Sequence, residues 1–180
     1  LHHGVCWLAS KLLSPGGMYR CIELAGFAAA QVVCCLFDRI PFVPLAFSRR
    51  APDRKSVSIL SGGTPEVIAA RGQAWLDANR ENADEAVVAI DGYVTLPPGP
   101  RRDAIILDLR AYREHNRQMR IAVPYRPHHD PAGFAVYRPK MIVAAVEGAD
   151  VCAMQAAFVQ GVCSHEYGAR IWHACSDDRG

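Results

Sequence analysis

The chain has 180 residues, of which 51% are hydrophobic and 21% charged, with a formal net charge of +2. Those globular values exclude disorder throughout, and the near-balanced charge excludes a general attraction to nucleic acid or anionic lipid. The uninterrupted apolar runs all fall short of the ~18 to 20 residues that span a bilayer; residues 22–37 come closest, and Glu23 and Gln31 break them.

Arginine outnumbers lysine 17 to 3 and alanine is abundant, a composition expected of a GC-rich bacterial genome. The seven cysteines fall early (Cys6, Cys21, Cys34, Cys35) or late (Cys152, Cys163, Cys175), without a CxxC pair. This pattern predicts reduced thiols and a cytoplasmic protein. Residues 1–17 read as a tag or non-native leader, because Ser14-Pro15-Gly16-Gly17 is rich in breakers and Met18 follows it. Residues 18–148 are expected to form one α+β domain, and residues 149–180 a C-terminal helix with an irregular tail.

In chain order, Ile22, Ala25, Gly26 and Ala29 share helical spacing and predict a helix over residues 19–30. The β-branched, apolar run 31–37 reads as a buried strand. A second strand is expected over 42–48, with Pro44 placing it at an edge or bulge, and a third over 56–60. Thr64-Pro65-Glu66 marks the clearest helix start: a capping hydroxyl, a proline suited to the first turn, and an acid that complements the dipole. Its apolar stripe is Ile68, Gly72, Trp75 and Leu76.

Asp91-Gly92 is a strong hairpin signal and predicts separate strands over 85–91 and 93–96. The centre of the sheet is a hairpin over 104–125 turning at His115-Asn116-Arg117. With Glu114 opposite Gln118, Leu107 meets Tyr125, Leu109 meets Val123 and Ala111 meets Ile121, so that every pair on that face is apolar. Short strands follow over 134–137 and 140–146, then a helix over 151–160. The fold expected is a mostly antiparallel sheet of about six to eight strands with two or three helices on one face.

Three constellations carry candidate chemistry. The second face of the central hairpin holds Asp108, Arg110, Tyr112 and Arg120; in that register Arg110 opposes small Ala122, leaving a guanidinium notch suited to a carboxylate or phosphate. His128 and His129 lie in an interstrand loop, where an imidazole can exchange protons near neutral pH. Cys163-x-His165 and His173-x-Cys175 would bring four zinc ligands together if both pairs lay on facing strands, although the spacing is not that of a common zinc finger. The Ser61-Gly62-Gly63-Thr64 turn lacks the lysine of a phosphate-binding loop. In the absence of a specific catalytic motif, the leading expectation is a non-enzymatic module that binds a protein partner or forms a homodimer, using an edge strand at 42–48 or 140–146. The alternative is a binder of small anionic molecules on the arginine face, and a weaker one is a zinc-binding tail. No membrane or nucleic-acid partner is expected.

Overall fold

The computed structural model describes residues 16–51, 53–95, 99–113, 116–144 and 150–177. Among them are four helices and an eight-stranded, curled, mostly antiparallel sheet, the α+β class expected. The strand order is β2 (Arg54–Ile59), β1 (Leu45–Arg50), β3 (Glu85–Thr95), β4 (Arg101–Ala111), β5 (Arg117–Arg126), β6 (Ala135–Tyr137) and β8 (Ser176–Asp177), and β7 (Lys140–Ala144) also pairs with β5. The sheet's one parallel pairing among the described residues joins β6 (Ala135–Tyr137) to β8 (Ser176–Asp177).

The first helix, α1 (Gly17–Phe37), absorbs the strand expected over 31–37. A short apolar run cannot separate a buried helix from a buried strand, and here Val32, Val33 and Cys34 continue the buried surface of the preceding turns. The helix ends where Arg39 takes a left-handed backbone (φ 56°) and the Ile40 N–H reaches back to the Cys35 carbonyl. At 21 residues, α1 is long and apolar enough to cross a membrane by length and composition alone. In this fold the sheet, α3 (Val151–Cys163) and α4 (Glu166–Cys175) enclose it.

Strands β1 (Leu45–Arg50) and β2 (Arg54–Ile59) form a hairpin, and β1 also pairs with β3 (Glu85–Thr95). The strand after Pro44 is therefore internal, and β2 is the edge. The Asp91-Gly92 turn does not form; β3 runs straight through it against β4 (Arg101–Ala111). Glycine serves there as a close approach, since a Cβ on Gly92 would lie 2.9 Å from Ile106 Cγ1.

The central hairpin pairs β4 with β5 (Arg117–Arg126) in a different register: Leu107 meets Ile121, Leu109 meets Met119 and Ile105 meets Val123. The shift is even, so each side chain keeps its expected face. Glu114 and His115 lie outside the described residues. β7 spans Lys140–Ala144, and the end of its expected range lies outside them too.

The helices divide between the faces. Leu45, Phe47, Val87, Ile105, Leu107 and Ile121 pack on α1, α3 (Val151–Cys163) and α4 (Glu166–Cys175). α2 (Pro65–Ala78) covers the opposite face, where Ala46, Leu60, Ala86 and Val88 meet Leu76. The expectation of helices on one face fails because alternate residues of β1 and β3 are apolar on both sides. The stripe read for α2 is correct: Gly72 and Leu76 are buried, and Thr64 caps the Val67 N–H. The tail expected to be irregular is α4.

Two contacts fix the helix layer. α1 and α3 cross so closely that a Cβ on Gly26 would lie 2.0 Å from the Phe158 carbonyl oxygen, and one on Gly161 1.8 Å from that of Glu23. Near the start of α1, buried Arg49 bonds Glu85 through Nε (3.0 Å) and approaches Glu23 (3.5 Å), while Arg20 meets the other Glu85 oxygen at 3.1 Å.

Gly161→Ala is expected to destabilise the protein by about 3 kcal/mol, because the added methyl forces the helices apart. Helix propensity alone would favour the alanine by roughly 0.5–1 kcal/mol, so the sign of the change in a urea melt decides whether the crossing exists. Arg49→Met leaves Glu85 with Arg20 alone, and the same melt is expected to show a loss of about 3 kcal/mol.

Candidate functional site

The arginine face is assembled by β4, β5 and α2. Asp108, Arg110 and Arg120 surround a hollow of about 150 Å³ with Gln73 and Gln118. Arg110 faces Gln118 rather than Ala122, and its Nη2 bonds Asp77 Oδ1 of α2 at 2.6 Å. Asp108 lies opposite Arg120 and accepts two bonds from it, at 2.6 and 2.8 Å. Tyr112 turns to α2, donating to the Leu76 carbonyl (2.6 Å), and burial pushes its hydroxyl pKa up to about 12. The open notch expected from the sequence is therefore covered by α2, and each of the two arginines has a carboxylate beside it. Arg110 Nε is buried without a hydrogen-bond partner.

His128 and His129 lie beyond the far end of β5, away from that face. His128 Nε2 is 2.9 Å from the Phe37 carbonyl, and its ring stacks on Phe134. It thus ties the β5–β6 loop to the end of α1. His129 is exposed beside it.

Cys163 ends α3, His173 and Cys175 lie on α4, and His165 stands in the turn between the two helices, so none of the four is on a strand. His173 and Cys175, two apart on a helix, are about 200° apart rather than on one face. Cys163 Sγ and His173 Nε2 come within 3.9 Å. His165 instead caps α4, accepting the Gly168 N–H at Nδ1, and its Nε2 meets Gln31 Oε1 at 2.9 Å. Cys175 is half-buried, and burial raises its thiol pKa. Among the described residues no group of three His, Cys, Asp or Glu side chains is placed to hold a metal.

A more enclosed and largely apolar cleft lies elsewhere, between α3, α4 and strands β5 to β8. It has a volume of about 460 Å³. Its floor and walls are apolar: Ile22, Ile121, Met154, Phe158 and Val162 are buried, with Trp172 and Met141 half-buried beside them. Polar groups stand at the rim, where Arg138, His173 and Ser176 are exposed; Asp177 lies among them, 3.8 Å from Arg126. Only His173 of this group was a candidate from sequence. The helices that line the cleft, though not the hollow itself, carried a signal. Met154, Phe158 and Val162 recur every fourth residue, and Gly168, Ile171, Trp172 and Cys175 follow helical spacing.

Arg110→Met should change stability by less than about 1 kcal/mol, since an apolar chain of similar length replaces a half-satisfied buried charge. Asp77→Ala strands that charge and should cost about 1–3 kcal/mol in a chemical melt. Compared with known proteins, the chain matches no family model, no curated protein and no solved structure, so its function has to be argued from this geometry.

Proposed function

We propose that the protein is a small-molecule-binding domain of the bacterial cytoplasm whose ligand occupies the cleft between α3, α4 and the β5–β8 end of the sheet. The observation that carries this reading is a cavity of about 460 Å³ with apolar walls and a polar rim on one side. Pockets of ~300–1,000 Å³ with that distribution are the usual form of small-molecule sites. The walls select an apolar or aromatic body, which Trp172, Phe158, Met141 and Met154 contact through polarisable surfaces. The rim selects one polar group. Arg138 and His173 favour an acidic headgroup there, while the Ser176 hydroxyl gives its proton to the Trp172 carbonyl (2.6 Å) and offers a ligand only an acceptor.

The arginine face supports the anion-binding alternative less well. Its hollow is about a third of the size, and Asp77 and Asp108 already neutralise Arg110 and Arg120. The six described cysteines are free thiols, which supports a reducing compartment.

Titration with anilinonaphthalene sulfonate, followed by displacement with lauric acid, tests the assignment. Saturable one-to-one binding that quenches or shifts Trp172 emission is expected, and Trp172→Phe should remove that signal. Val159 lines the rim and is 52% exposed, so Val159→Trp can obstruct the cleft without disturbing the core. It should weaken binding at least about tenfold, equivalent to 1.4 kcal/mol. Unsaturable dye uptake, or affinity unaltered by Val159→Trp, would rule the cleft out.

A further inference from the structure

Among the described residues, strand β2 closes one end of the sheet and pairs only with β1. Five of its six residues are exposed, including Val57 (54%) and Ile59 (64%). An edge of this length presents a row of unpaired backbone groups, and exposed apolar side chains beside them are what soluble proteins normally avoid. Val57 and Ile59 stand opposite Phe47 and Leu45, on the side of the sheet that holds the main core. They extend that apolar layer past the last strand.

The direction of the free backbone groups can be read from the β1–β2 ladder. The Leu60 N–H donates to the Pro44 carbonyl at 2.9 Å. In an antiparallel pair hydrogen-bonded and non-hydrogen-bonded residues alternate. Ser58, Ser56 and Arg54 therefore turn their N–H and C=O groups toward β1, and Lys55, Val57 and Ile59 turn theirs outward.

From this we propose that the protein forms a two-fold homodimer in which β2 pairs antiparallel with β2 of a second copy, the axis passing beside Val57. In that register Val57 faces its own counterpart as a hydrogen-bonded pair, and Lys55 faces the partner's Ile59, again a pair with outward backbone groups on both sides. Ser56 faces the partner's Ser58. The strand is thus self-complementary in the sense an isologous interface requires. The charge pattern agrees. Arg54 and Lys55 are the strand's only charged residues, and both sit at one end. Antiparallel pairing sends them to opposite ends of the interface, so no cation opposes another. Lys55 already leaves the strand edge by folding its ammonium over the Phe27 ring, 4.4 Å from the centroid. A parallel arrangement would instead align Arg54 and Lys55 with their copies.

Light scattering on the full chain tests this. The expected mass is twice the 19.7 kDa of one chain. Val57→Pro removes an outward N–H, a change an edge strand tolerates, while denying the partner a bond at the axis. It should yield a monomer with an unchanged far-UV spectrum. Val57→Arg places two guanidinium groups at the axis and should raise the dimer dissociation constant at least about a hundredfold, equivalent to ~2.7 kcal/mol. If the proline variant does not fold, the arginine variant at this exposed position decides alone. Ile142→Arg, on β7 at the far side of the sheet, should leave the dimer intact. A wild-type monomer at about 50 µM, near the weak end of specific association, or a dimer that survives both Val57 substitutions, overturns the proposal. A monomer in which residues 1–15 protect β2 from hydrogen exchange would assign the edge to the chain's own N-terminal segment and overturn it equally.

Discussion

Helix α1 has no broad polar face to give to water, and that constraint organises the molecule. Twelve of its residues are buried, and they lie around its circumference rather than along one stripe. A helix of that kind must be enclosed. The sheet alone encloses one side. α3 and α4 supply the other, which is why the C-terminal segment belongs to the main core through Phe158, Val162 and Ile171. The glycines at the crossing follow from the same need. With Gly26 and Gly161 at the contact, the backbones approach far enough to leave no gap along so apolar a surface.

Charge enters this core only where it is matched. Arg49 and Glu85 face each other across β1 and β3, and Arg20 and Glu23 come down on them from α1. Four alternating charges thus join two strands to the helix. Burying such a group is not a general source of stability. What it does is fix alignment, because only one position of α1 along the sheet gives Glu85 both arginines. Cys21, one residue along from Arg20, adds to the docking by placing its thiol at the Ala86 and Arg110 carbonyls, 3.5 and 3.4 Å away. Burial pushes that thiol up to about 12, so it stays protonated and inert.

How much was legible in the sequence depended on whether a local signal agreed with its surroundings. α2 was legible because Thr64, Pro65 and Glu66 state the start of a helix in local chemistry, and its stripe meets the sheet as read. The two faces of β4 and β5 were legible because alternation has a period of two, which survives an even error in register. The register itself was not. Leu107, Leu109 and Ala111 find apolar partners at more than one even offset, and the turn length decides between them. Asp91-Gly92 misled for a tertiary reason: Tyr93, Val94 and Thr95 gain more by pairing with Asp103, Arg102 and Arg101 than by reversing. The 31–37 run misled because its neighbours, not its propensity, decide its state. Of the candidate site, the polar residues were individually visible, yet their pairing with Asp77 and Leu76 of α2 could not be seen without knowing that α2 covers that face. The cleft was invisible for a related reason. Its walls are ordinary core residues, and a hollow is a property of how elements diverge, not of any one of them.

The proposed cleft and the proposed dimer edge lie at opposite ends of one sheet. The cleft begins at β5, and β2 is four strands away in the order β2-β1-β3-β4-β5. At ~4.8 Å per strand that is about 19 Å along the hydrogen-bonding direction. No side chain reaches across that distance, so a ligand in the cleft does not meet the proposed dimer edge. Besides the sheet itself, α1 joins the two regions, packing on Phe47 of β1 and contributing Ile22 to the cleft wall. Helix α1 is held by the Arg49–Glu85 cluster at one end and the Gly26–Gly161 crossing near its middle. A helix fixed at two such points does not slide, and the two sites are therefore expected to act independently.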